Sequence, residues 1–441
     1  MTTPTHPPEP GRIAELRARG VHGVALTWVD NAGLTRVKAV PLDRLPAAAE
    51  RGVGMSPVFD IYLVDDSLTA SRDTGGPDGD LRLVPDLGRL TTLAGQPGWA
   101  WAPVDRFEQD GRPYPGCQRH FARRMTARAA EHGIELRMGF ETEWVVTRDG
   151  RFACSGPAYG MTRLVELSAY ADDLLTAFAA QGVTVLQLHP EYAPGQFEIS
   201  IAPSDPVTAA DEAVLVRETI RAVSLRHGLT PAFGPVHDPD GVGNGRHLHL
   251  SLWRDGRNLC AGGTGPFGMT AAAEAFLAGI LSALPELLAV GAPSPASYLR
   301  LQPSRWAGVF QCWGLENREA PLRFITGAPD DPTAANAEVK CFDPAANPYL
   351  LVGAVITAGL TGLTAQQTLP PPITGDPAPQ HQPRLPTSLP ESLTHFERST
   401  QLRTAMGDML FEAFAAVRSA EAKLFDGTSP EALAAATRER Y

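Results

Sequence analysis

The sequence has few cysteines, and their distribution disfavours the sites that cysteines usually build. Five cysteines are scattered along 441 residues, and no C-x-x-C pair occurs among them. An odd number without paired spacing argues against a disulfide framework and against a zinc site made of thiolates. Unpaired thiols are typical of a reducing compartment, so we expect the protein in the cytoplasm.

The sequence also lacks a targeting segment, a long hydrophobic run and an excess of positive charge. Residues 1–10 are polar and proline-rich, without the apolar centre of a signal peptide. The most apolar stretch, 350–363, is short for a bilayer span and contains glycines, so we expect a buried helix there. The net charge of −11 repels nucleic acid and anionic membranes, and we expect neither as a partner.

Two common nucleotide-binding motifs are missing as well. There is no G-x-x-x-x-G-K-[ST] and no G-x-G-x-x-G after a predicted strand, so neither a P-loop nor a Rossmann site is expected.

The length allows two or more domains. Residues 51–114 are rich in Gly, Pro and Asp, and we predict a small domain over 1–114 and a larger one over 115–441.

What the sequence does contain is a predicted strand at 246–253 whose two faces differ in chemistry. Leucines occupy positions 248, 250 and 252, as expected for a strand that packs one face on a core. The opposite face carries His247, His249 and Ser251. By itself this pattern fits two surface histidines on a half-exposed strand as well as it fits a binding site.

Other predicted strands repeat the pattern of an apolar face opposite a charged face. The charged faces carry Glu141 and Glu143, Glu191 and Glu198 across a turn, and Glu338 and Lys340. Several such strands are best explained by one shared cleft. Carboxylates held together repel one another unless a cation lies between them. Oxygen-rich ligands with an imidazole suit Mg²⁺ or Mn²⁺.

Four arginines follow within one short span, at Arg300, Arg305, Arg318 and Arg323. The guanidinium group binds phosphate or carboxylate through two parallel hydrogen bonds. Metal ions and several arginines in one cleft indicate phosphoryl transfer.

The order of these motifs resembles the glutamine synthetase family across nearly the whole chain. The matching segments are 139–143, 191–198, 245–252, 316–320 and 338–349. Single E-x-E or H-x-H pairs are weak signals, whereas the A-P-G-Q-F-E and D-P-A-A-N-P-Y runs are specific. The resemblance implies an α+β fold with a small N-terminal β-grasp domain. Its larger catalytic domain would be built on a curved antiparallel sheet with flanking helices. It also implies a ring-shaped homo-oligomer, typically a dodecamer, with active sites between subunits.

The resemblance further implies two divalent ions, Mg²⁺ or Mn²⁺, in each site. One ion would be bound by Glu143, Glu191 and Glu198. The other would be bound by Glu141, His247 and Glu338. ATP, as co-substrate, would face His249 and Ser251.

The remaining roles that the resemblance implies concern the substrates. Arg318 and Arg323 would contact the transferred phosphate, with Arg318 and Arg300 as catalytic residues. Arg300 and the backbone of Gly243 would bind the amino acid, and Lys340 stands where the family has an arginine. The implied reaction transfers the ATP γ-phosphoryl group to the glutamate γ-carboxylate, and an amine then attacks the acyl phosphate.

Departures from the family cluster around the amine. Ser56 stands near the position of an aspartate that holds ammonium from the neighbouring subunit, and Trp306 stands where the family has a glutamate that deprotonates ammonium. Asp60 is a candidate for a displaced carboxylate. An indole suits a larger or more apolar amine, which it can contact by a cation–π interaction.

These departures predict a γ-glutamylamide synthetase that uses a polyamine, ethanolamine or another monoamine. Val242 stands where the family has an asparagine that contacts glutamate, and Asn336 replaces an arginine of the phosphate region, so the sequence leaves the amino-acid substrate open. Two alternatives stay open: an ordinary glutamine synthetase that uses ammonia, and a non-catalytic ring protein of the same fold. The complete set of six metal ligands argues against the second, because converging carboxylates without an ion are unfavourable.

Overall fold

The structure is a computed structural model that describes residues 10–76, 78–328 and 330–441. Its strands are β1 (Gly23–Val29), β2 (Thr35–Pro41), β3 (Val53–Met55), β4 (Leu81–Pro85), β5 (Thr91–Thr92), β6 (Trp99–Phe107), β7 (Glu135–Arg148), β8 (Arg151–Phe152), β9 (Val185–Pro190), β10 (Gln196–Ile201), β11 (Thr230–Ala232), β12 (Leu248–Arg254), β13 (Arg257–Asn258), β14 (Trp313–Leu315), β15 (Leu322–Ile325) and β16 (Asn336–Val339).

The α-helices are α1 (Pro10–Ala18), α2 (Leu45–Arg51), α3 (Gln118–Glu131), α4 (Met161–Glu166), α5 (Ser168–Ala180), α6 (Pro206–Arg226), α7 (Ala271–Gly291), α8 (Ser297–Arg300), α9 (Pro348–Thr364), α10 (Leu389–Arg398), α11 (Thr400–Met406), α12 (Asp408–Leu424) and α13 (Pro430–Thr437). Short 3₁₀ turns connect several of them.

A 6-stranded sheet forms the N-terminal part, in the order β2-β1-β6-β4-β3 with β5 on β6. The sequence at 24–40 predicts a hairpin, with two short strands on either side of a turn at 31–33. This prediction is confirmed, since β1 and β2 pair antiparallel from Gly23↔Pro41 to Val29↔Thr35. β1 also pairs parallel with β6. The sheet has a hydrophobic cluster of its own, which includes Leu26, Leu83 and Val104. The division of the chain at 114/115 stays a prediction.

A 10-stranded sheet forms the rest, in the order β14-β15-β16-β12-β7-β10-β9. Its neighbours pair antiparallel, apart from the parallel pair β14–β15. α9 packs against α3, α6 and α7, α3 also packs against α6, and residues of all four helices belong to the main hydrophobic cluster. α7 and α9 approach closely at glycines, because a Cβ on Gly279 would lie 2.3 Å from the carbonyl oxygen of Ala358.

The expected buried helix at 350–363 is α9, and every residue from 348 to 360 is buried. Among the described helices, α7 is the one long and apolar enough to cross a membrane, and 78% of its apolar window is buried inside the protein. Such burial is typical of a core helix. All five cysteines are buried and unpaired.

Strand β12 has the predicted two-faced pattern. Leu248, Leu250 and Leu252 are almost completely buried in the core. The strand begins at Leu248, two residues later than expected, although the carbonyl of His247 still accepts a hydrogen bond from the Glu141 amide at 3.0 Å. The ladder therefore continues into the polar segment before the regular strand.

The register of four neighbouring strands places their polar residues together. Glu143 lies opposite Glu198 between β7 and β10, and His249 lies opposite Glu338 between β12 and β16. Because side chains alternate along a strand, polar residues at matching positions share one face of the sheet. The apolar residues between them face the helices.

Asp60 lies in the interior of the N-terminal part and not at a cleft. Its Oδ1 accepts a hydrogen bond from Arg106 Nη1 at 2.6 Å, and its Oδ2 accepts one from the Tyr114 hydroxyl at 2.8 Å. Both charged side chains are 1% exposed. The expectation that Asp60 could act as a displaced carboxylate for the amine is therefore not supported, because this carboxylate already neutralises a buried guanidinium.

This ion pair should matter for stability. Asp60→Asn leaves the Arg106 guanidinium buried without its counter-ion, which we expect to lower the free energy of unfolding by roughly 3–5 kcal/mol. Urea denaturation followed by circular dichroism measures the loss. Asp66→Asn is the control, since Asp66 pairs with Arg36 and Arg440 while 51% exposed, and such a pair contributes about 1 kcal/mol or less. Equal effects of the two substitutions would contradict the assignment.

Candidate active site

The polar faces of the large sheet line a cavity of about 650 Å³. It is lined by most of the carboxylates and imidazoles that the sequence predicted as ligands or ATP contacts, namely Glu141, Glu143, Glu191, Glu198, His247 and His249. The predicted ligand Glu338 is buried outside this lining. Arg300, Arg305, Arg318, Arg323 and Lys340 line the same cavity. One chain thus brings together carboxylates, imidazoles and cations that lie up to 200 residues apart in the sequence.

The residues predicted for one metal ion form a tight group. His247 Nδ1 lies 3.2 Å from Glu141 Oε2 and 3.3 Å from Glu338 Oε1. Burial and the nearby Lys340 ammonium lower the pKa of His247 to about 4. The imidazole is therefore neutral near pH 7, which is the form that binds a metal ion. Burial raises the pKa of Glu338, but Lys340 and His247 outweigh it and lower the value to about 2.

The residues predicted for the other metal ion crowd negative charge into a buried space. Burial, Glu198 and Glu191 together raise the pKa of Glu143 to about 8. Glu143 Oε2 accepts hydrogen bonds from the Gly245 amide at 2.9 Å and from Gln196 Nε2 at 3.0 Å, so its position is fixed. A divalent cation would relieve this repulsion, and the carboxylate oxygens suit Mg²⁺ or Mn²⁺.

His189 belongs to this group, although the sequence interpretation missed it. Its Nε2 lies 3.2 Å from Glu198 Oε1, and its Nδ1 lies 3.8 Å from Glu191 Oε1. The hydrogen bond to Glu198 raises the pKa of His189 to about 9 against the effect of burial. The apolar residues at 183–188 predict a strand that ends one residue before His189, whereas β9 extends to Pro190. Two-residue alternation from Glu191 was the signal that could have included His189.

Four groups of donor atoms among the described residues have all their atoms within 4.8 Å of one another, and three of these groups lie at this site. These three groups are Glu141 with Glu198 and His247, Glu141 with His249 and Glu338, and His189 with Glu191 and Glu198. They overlap the two predicted ligand sets without reproducing either completely, and both carboxylate and imidazole donors are present. The residues therefore fit divalent ions.

Arg163 anchors the turn that carries Glu191, and no feature of the sequence pointed to it. Its Nη1 donates hydrogen bonds to the carbonyls of Glu191 at 2.6 Å, Tyr192 at 3.2 Å and Ala193 at 2.7 Å. The side chain comes from α4 and is buried. This guanidinium fixes the backbone on which Glu191 approaches Glu198.

Arg300 and Gly243 lie side by side at one wall of the cavity. Arg300 Nη2 donates to the Lys340 carbonyl at 3.0 Å, while its buried Nη1 has no hydrogen-bond partner among the described residues. A Cβ on Gly243 would lie 2.3 Å from the Pro235 carbonyl oxygen and 2.8 Å from Arg300 Cγ. Only glycine therefore allows the backbone to approach the arginine here. A guanidinium with a spare donor suits a carboxylate.

Two further cations converge on Glu338. Lys340 Nζ lies 3.0 Å from Glu338 Oε1, and Arg323 Nη1 lies 3.1 Å from Glu338 Oε2. Arg323 Nη2 also donates to Glu316 Oε2 at 2.5 Å. These contacts hold the two cations beside the ligand cluster. An anionic substrate group could bind them there in place of the carboxylates.

A smaller cavity of about 300 Å³ lies on the other side of Glu141 and His249, which line both cavities. Ser251 lines the smaller one, and its hydroxyl accepts a hydrogen bond from Trp253 Nε1 at 2.8 Å. His249 Nδ1 lies 2.9 Å from Asn336 Oδ1. His249 therefore lies between the two cavities, and Ser251 faces the smaller one.

Trp306 lies at the mouth of the main cavity. Its ring centroid is 5.3 Å from that of Tyr192, and 43% of the residue is exposed. Its backbone has φ of 54°, a conformation that is unfavourable for a residue with a side chain. Ser56 does not line this cavity, since it caps a 3₁₀ turn by accepting a hydrogen bond from the Val58 amide at 3.3 Å. Its predicted role towards a neighbouring subunit stays a prediction.

Comparisons with known proteins identify close relatives over nearly the full length. The chain is 57% identical over 443 residues to "Gamma-glutamylpolyamine synthetase GlnA3" of Streptomyces coelicolor, covering 97% of this chain and 95% of that protein. It is 27% identical to "Glutamate–isopropylamine ligase" of a Pseudomonas species, covering 92% and 93% of the two chains. A solved structure described as "Crystal structure of novel glutamine synthase homolog" superposes with a TM-score of 0.87 at 31% identity, covering 96% of this chain and 99% of that chain.

The expected architecture is confirmed by these likenesses: the chain has the mixed α+β fold of this group, with a curved antiparallel sheet and flanking helices. Residues 115–433 match the family described as "Glutamine synthetase, catalytic domain". The protein is a ligase that belongs to the glutamine synthetase family.

Proposed function

We propose that this protein joins the γ-carboxylate of glutamate to an amine other than ammonia, using ATP, through a γ-glutamyl phosphate. The observation that carries the proposal is the main cavity. It combines a cluster of carboxylates and imidazoles, several arginines and an aromatic mouth, and each carboxylate among its described lining residues is a predicted metal ligand. Ligases of this family use ATP and a divalent metal.

Two divalent ions, Mg²⁺ or Mn²⁺, are part of the proposal. Glu143, Glu191 and Glu198 would hold one, and Glu141, His247 and Glu338 would hold the other. When bound, such ions neutralise charge on phosphoryl oxygens and polarise the transferring group. The raised pKa of Glu143 supports this assignment, because crowded carboxylates favour a cation among them.

ATP would occupy the smaller cavity with its phosphates pointing towards Glu141 and His249. Arg318 and Arg323 would stabilise the charge that develops on the transferred phosphoryl oxygens, as arginines do in other phosphoryl transfers. Glutamate would enter from the main cavity, where Arg300, Lys340 and the Gly243 backbone bind it. The γ-carboxylate would then meet the γ-phosphate between the two cavities.

A polyamine is the amine that we favour. The Streptomyces coelicolor relative at 57% identity is named for polyamines, and the Pseudomonas relative for isopropylamine. Trp306 and Tyr192 present aromatic faces at the mouth, and aromatic faces attract organic ammonium groups. Both features support an organic amine over ammonium.

The proposal includes a homo-oligomeric ring, typically a dodecamer, and a cytoplasmic location. Ser56 does not reach the cavity of its own chain, so a contribution to the amine pocket needs a neighbouring subunit. Five unpaired cysteines support a reducing compartment.

The proposed function is tested by phosphate release from ATP with glutamate and a panel of amines. The panel contains ammonium, ethanolamine, putrescine and spermine, and mass spectrometry identifies the product. We expect the fastest turnover with a polyamine and a γ-glutamylamide as product. Fastest turnover with ammonium would instead identify an ordinary glutamine synthetase. Metal binding without turnover on any amine would identify a non-catalytic ring protein.

Glu143→Gln tests the metal assignment. The substitution keeps the shape of the side chain but removes a charged ligand, so we expect Mn²⁺ affinity and amide formation to fall on the order of 100-fold or more. Isothermal titration calorimetry with Mn²⁺ and the phosphate assay measure the two losses. Glu135→Gln is the matched control, since Glu135 is exposed on the same strand. Unchanged Mn²⁺ affinity in Glu143→Gln would refute the assignment.

Trp306→Glu tests the amine pocket. A carboxylate at the mouth would attract a small cation, and loss of the indole would remove a face for a larger amine. We expect the ratio of kcat/KM for ammonium to that for the polyamine to rise by about tenfold or more, equivalent to roughly 1.4 kcal/mol. Trp306→Phe, which keeps an aromatic face, should leave the ratio near that of the unmodified enzyme. A ratio that is the same in both variants would exclude Trp306 from amine selection.

A further inference from the structure

The proposed reaction needs a proton acceptor for the amine. An aliphatic amine with a pKa of about 10 is almost entirely protonated at neutral pH, and an ammonium group has no lone pair with which to attack. The acceptor must lie close to the mouth through which the amine arrives. It must also be free of a metal ion, because a metal-bound carboxylate is a poor base.

The lining of the main cavity does not provide such an acceptor. Among the described residues, the carboxylates that line it are Glu141, Glu143, Glu191 and Glu198, all predicted metal ligands. Asp60 is buried against Arg106 elsewhere. A free carboxylate must therefore come from just outside the lining, next to the mouth.

Glu319 is in this position. Its Oε1 accepts a hydrogen bond from the Trp306 backbone amide at 3.0 Å, so the carboxylate lies against the loop that carries the indole. The preceding residue, Arg318, lines the cavity. Oε2 of Glu319 receives no hydrogen bond from the part of the chain that the structure describes, which leaves one oxygen for a ligand.

The turn that carries Glu319 is ordered by Asn317. The Glu319 amide donates to Asn317 Oδ1 at 3.0 Å, and Asn317 Nδ2 donates to the Gly375 carbonyl at 2.9 Å. The charged groups that act on the Glu319 carboxyl are Asp376 and Lys340. Half-burial raises the pKa of this carboxyl and Asp376 adds to the increase. The backbone hydrogen bond from Trp306 and the Lys340 ammonium lower the pKa, but the net shift is upward. A raised pKa improves a carboxylate as a base.

We propose that Glu319 binds the ammonium group of the amine substrate at the mouth of the cavity and accepts its proton, while Trp306 covers the carbon chain. This proposal rests on the proposed function, because it concerns the second half of that reaction. It assigns to Glu319 a contact with the reacting nitrogen and not only the positioning of a loop.

The ammonium group transfers one proton to Glu319 Oε2, and the freed lone pair attacks the carbonyl carbon of the γ-glutamyl phosphate. A C–N bond forms, the C–O bond to the phosphoryl group breaks, and its electron pair leaves with phosphate. The departing phosphate takes the second proton from nitrogen. Glu319 then releases its proton to water, so one proton appears in solution per amide formed.

Glu319→Gln separates the chemical role from a loop role. The amide oxygen of glutamine still accepts the hydrogen bond from Trp306, but the side chain can neither bind ammonium as an anion nor take a proton. We expect amide formation with the polyamine to fall by about 100-fold or more at pH 7. We also expect the residual rate to rise about tenfold per pH unit below the amine pKa, as the free amine becomes available.

Hydroxylamine provides the internal comparison, since it is uncharged at neutral pH and needs no deprotonation before attack. γ-Glutamyl hydroxamate formation by Glu319→Gln should stay close to that of the unmodified enzyme. Asp376→Asn removes an exposed neighbouring carboxylate and should leave both reactions unchanged. Glu319→Ala, which also loses the hydrogen bond to Trp306, measures the contribution of loop positioning.

Three outcomes would overturn the proposal. The first is equal loss of the amine and hydroxylamine reactions in Glu319→Gln, which would indicate damage to the earlier phosphoryl transfer. The second is normal amine turnover in Glu319→Gln with loss only in Glu319→Ala, which would leave a loop role. The third is an equal loss in Asp376→Asn, which would indicate the general field of the mouth. Failure of the proposed function is distinct, because the unmodified enzyme would then not turn over the polyamine, whatever its rate with hydroxylamine.

Discussion

Repulsion between buried carboxylates is the constraint on which the rest of the site depends. Glu143 and Glu198 face each other across two paired strands, and Glu191 reaches the same space from the adjoining turn. Burial weakens the screening of these charges by water, so the cluster needs cations nearby. In the protein, protonated His189 beside Glu198 and the Lys340–Glu338 pair supply part of the compensation. The remaining negative charge is what makes the cluster a site for divalent ions.

The sheet holds this unfavourable cluster in place because its opposite face is strongly favourable. Leu248, Leu250 and Leu252 are buried against the helices, and a shift of one residue would expose them while burying the histidines. Hydrophobic burial therefore fixes the register, and the register sets the distances between the polar groups. The stability of the core is used to keep charged groups closer than they would lie in an unconstrained chain.

Periodicity in the sequence was sufficient to predict the faces of the central strands. The two-residue alternation separated His247 and His249 from the leucines, and the same rule placed Glu141 with Glu143. Alternation gives the side of a strand but not its ends. The start of β12 was therefore predicted two residues too early, and His189 was missed. The order of motifs then predicted the family, because several specific runs in one order rarely arise separately.

Contacts between distant segments could not be predicted from the sequence. Asp60 follows a segment that aligns with the amine side, yet its carboxylate is neutralised by Arg106, 46 residues away. Arg163 reaches the Glu191 turn, and Glu319 reaches the Trp306 loop, through hydrogen bonds to backbone groups that any residue would offer. The sequence by itself determined the donor types, the two-faced strands and the family. Only the tertiary structure decided which charges meet, because a pairing between distant side chains depends on packing and leaves no periodic trace in the chain.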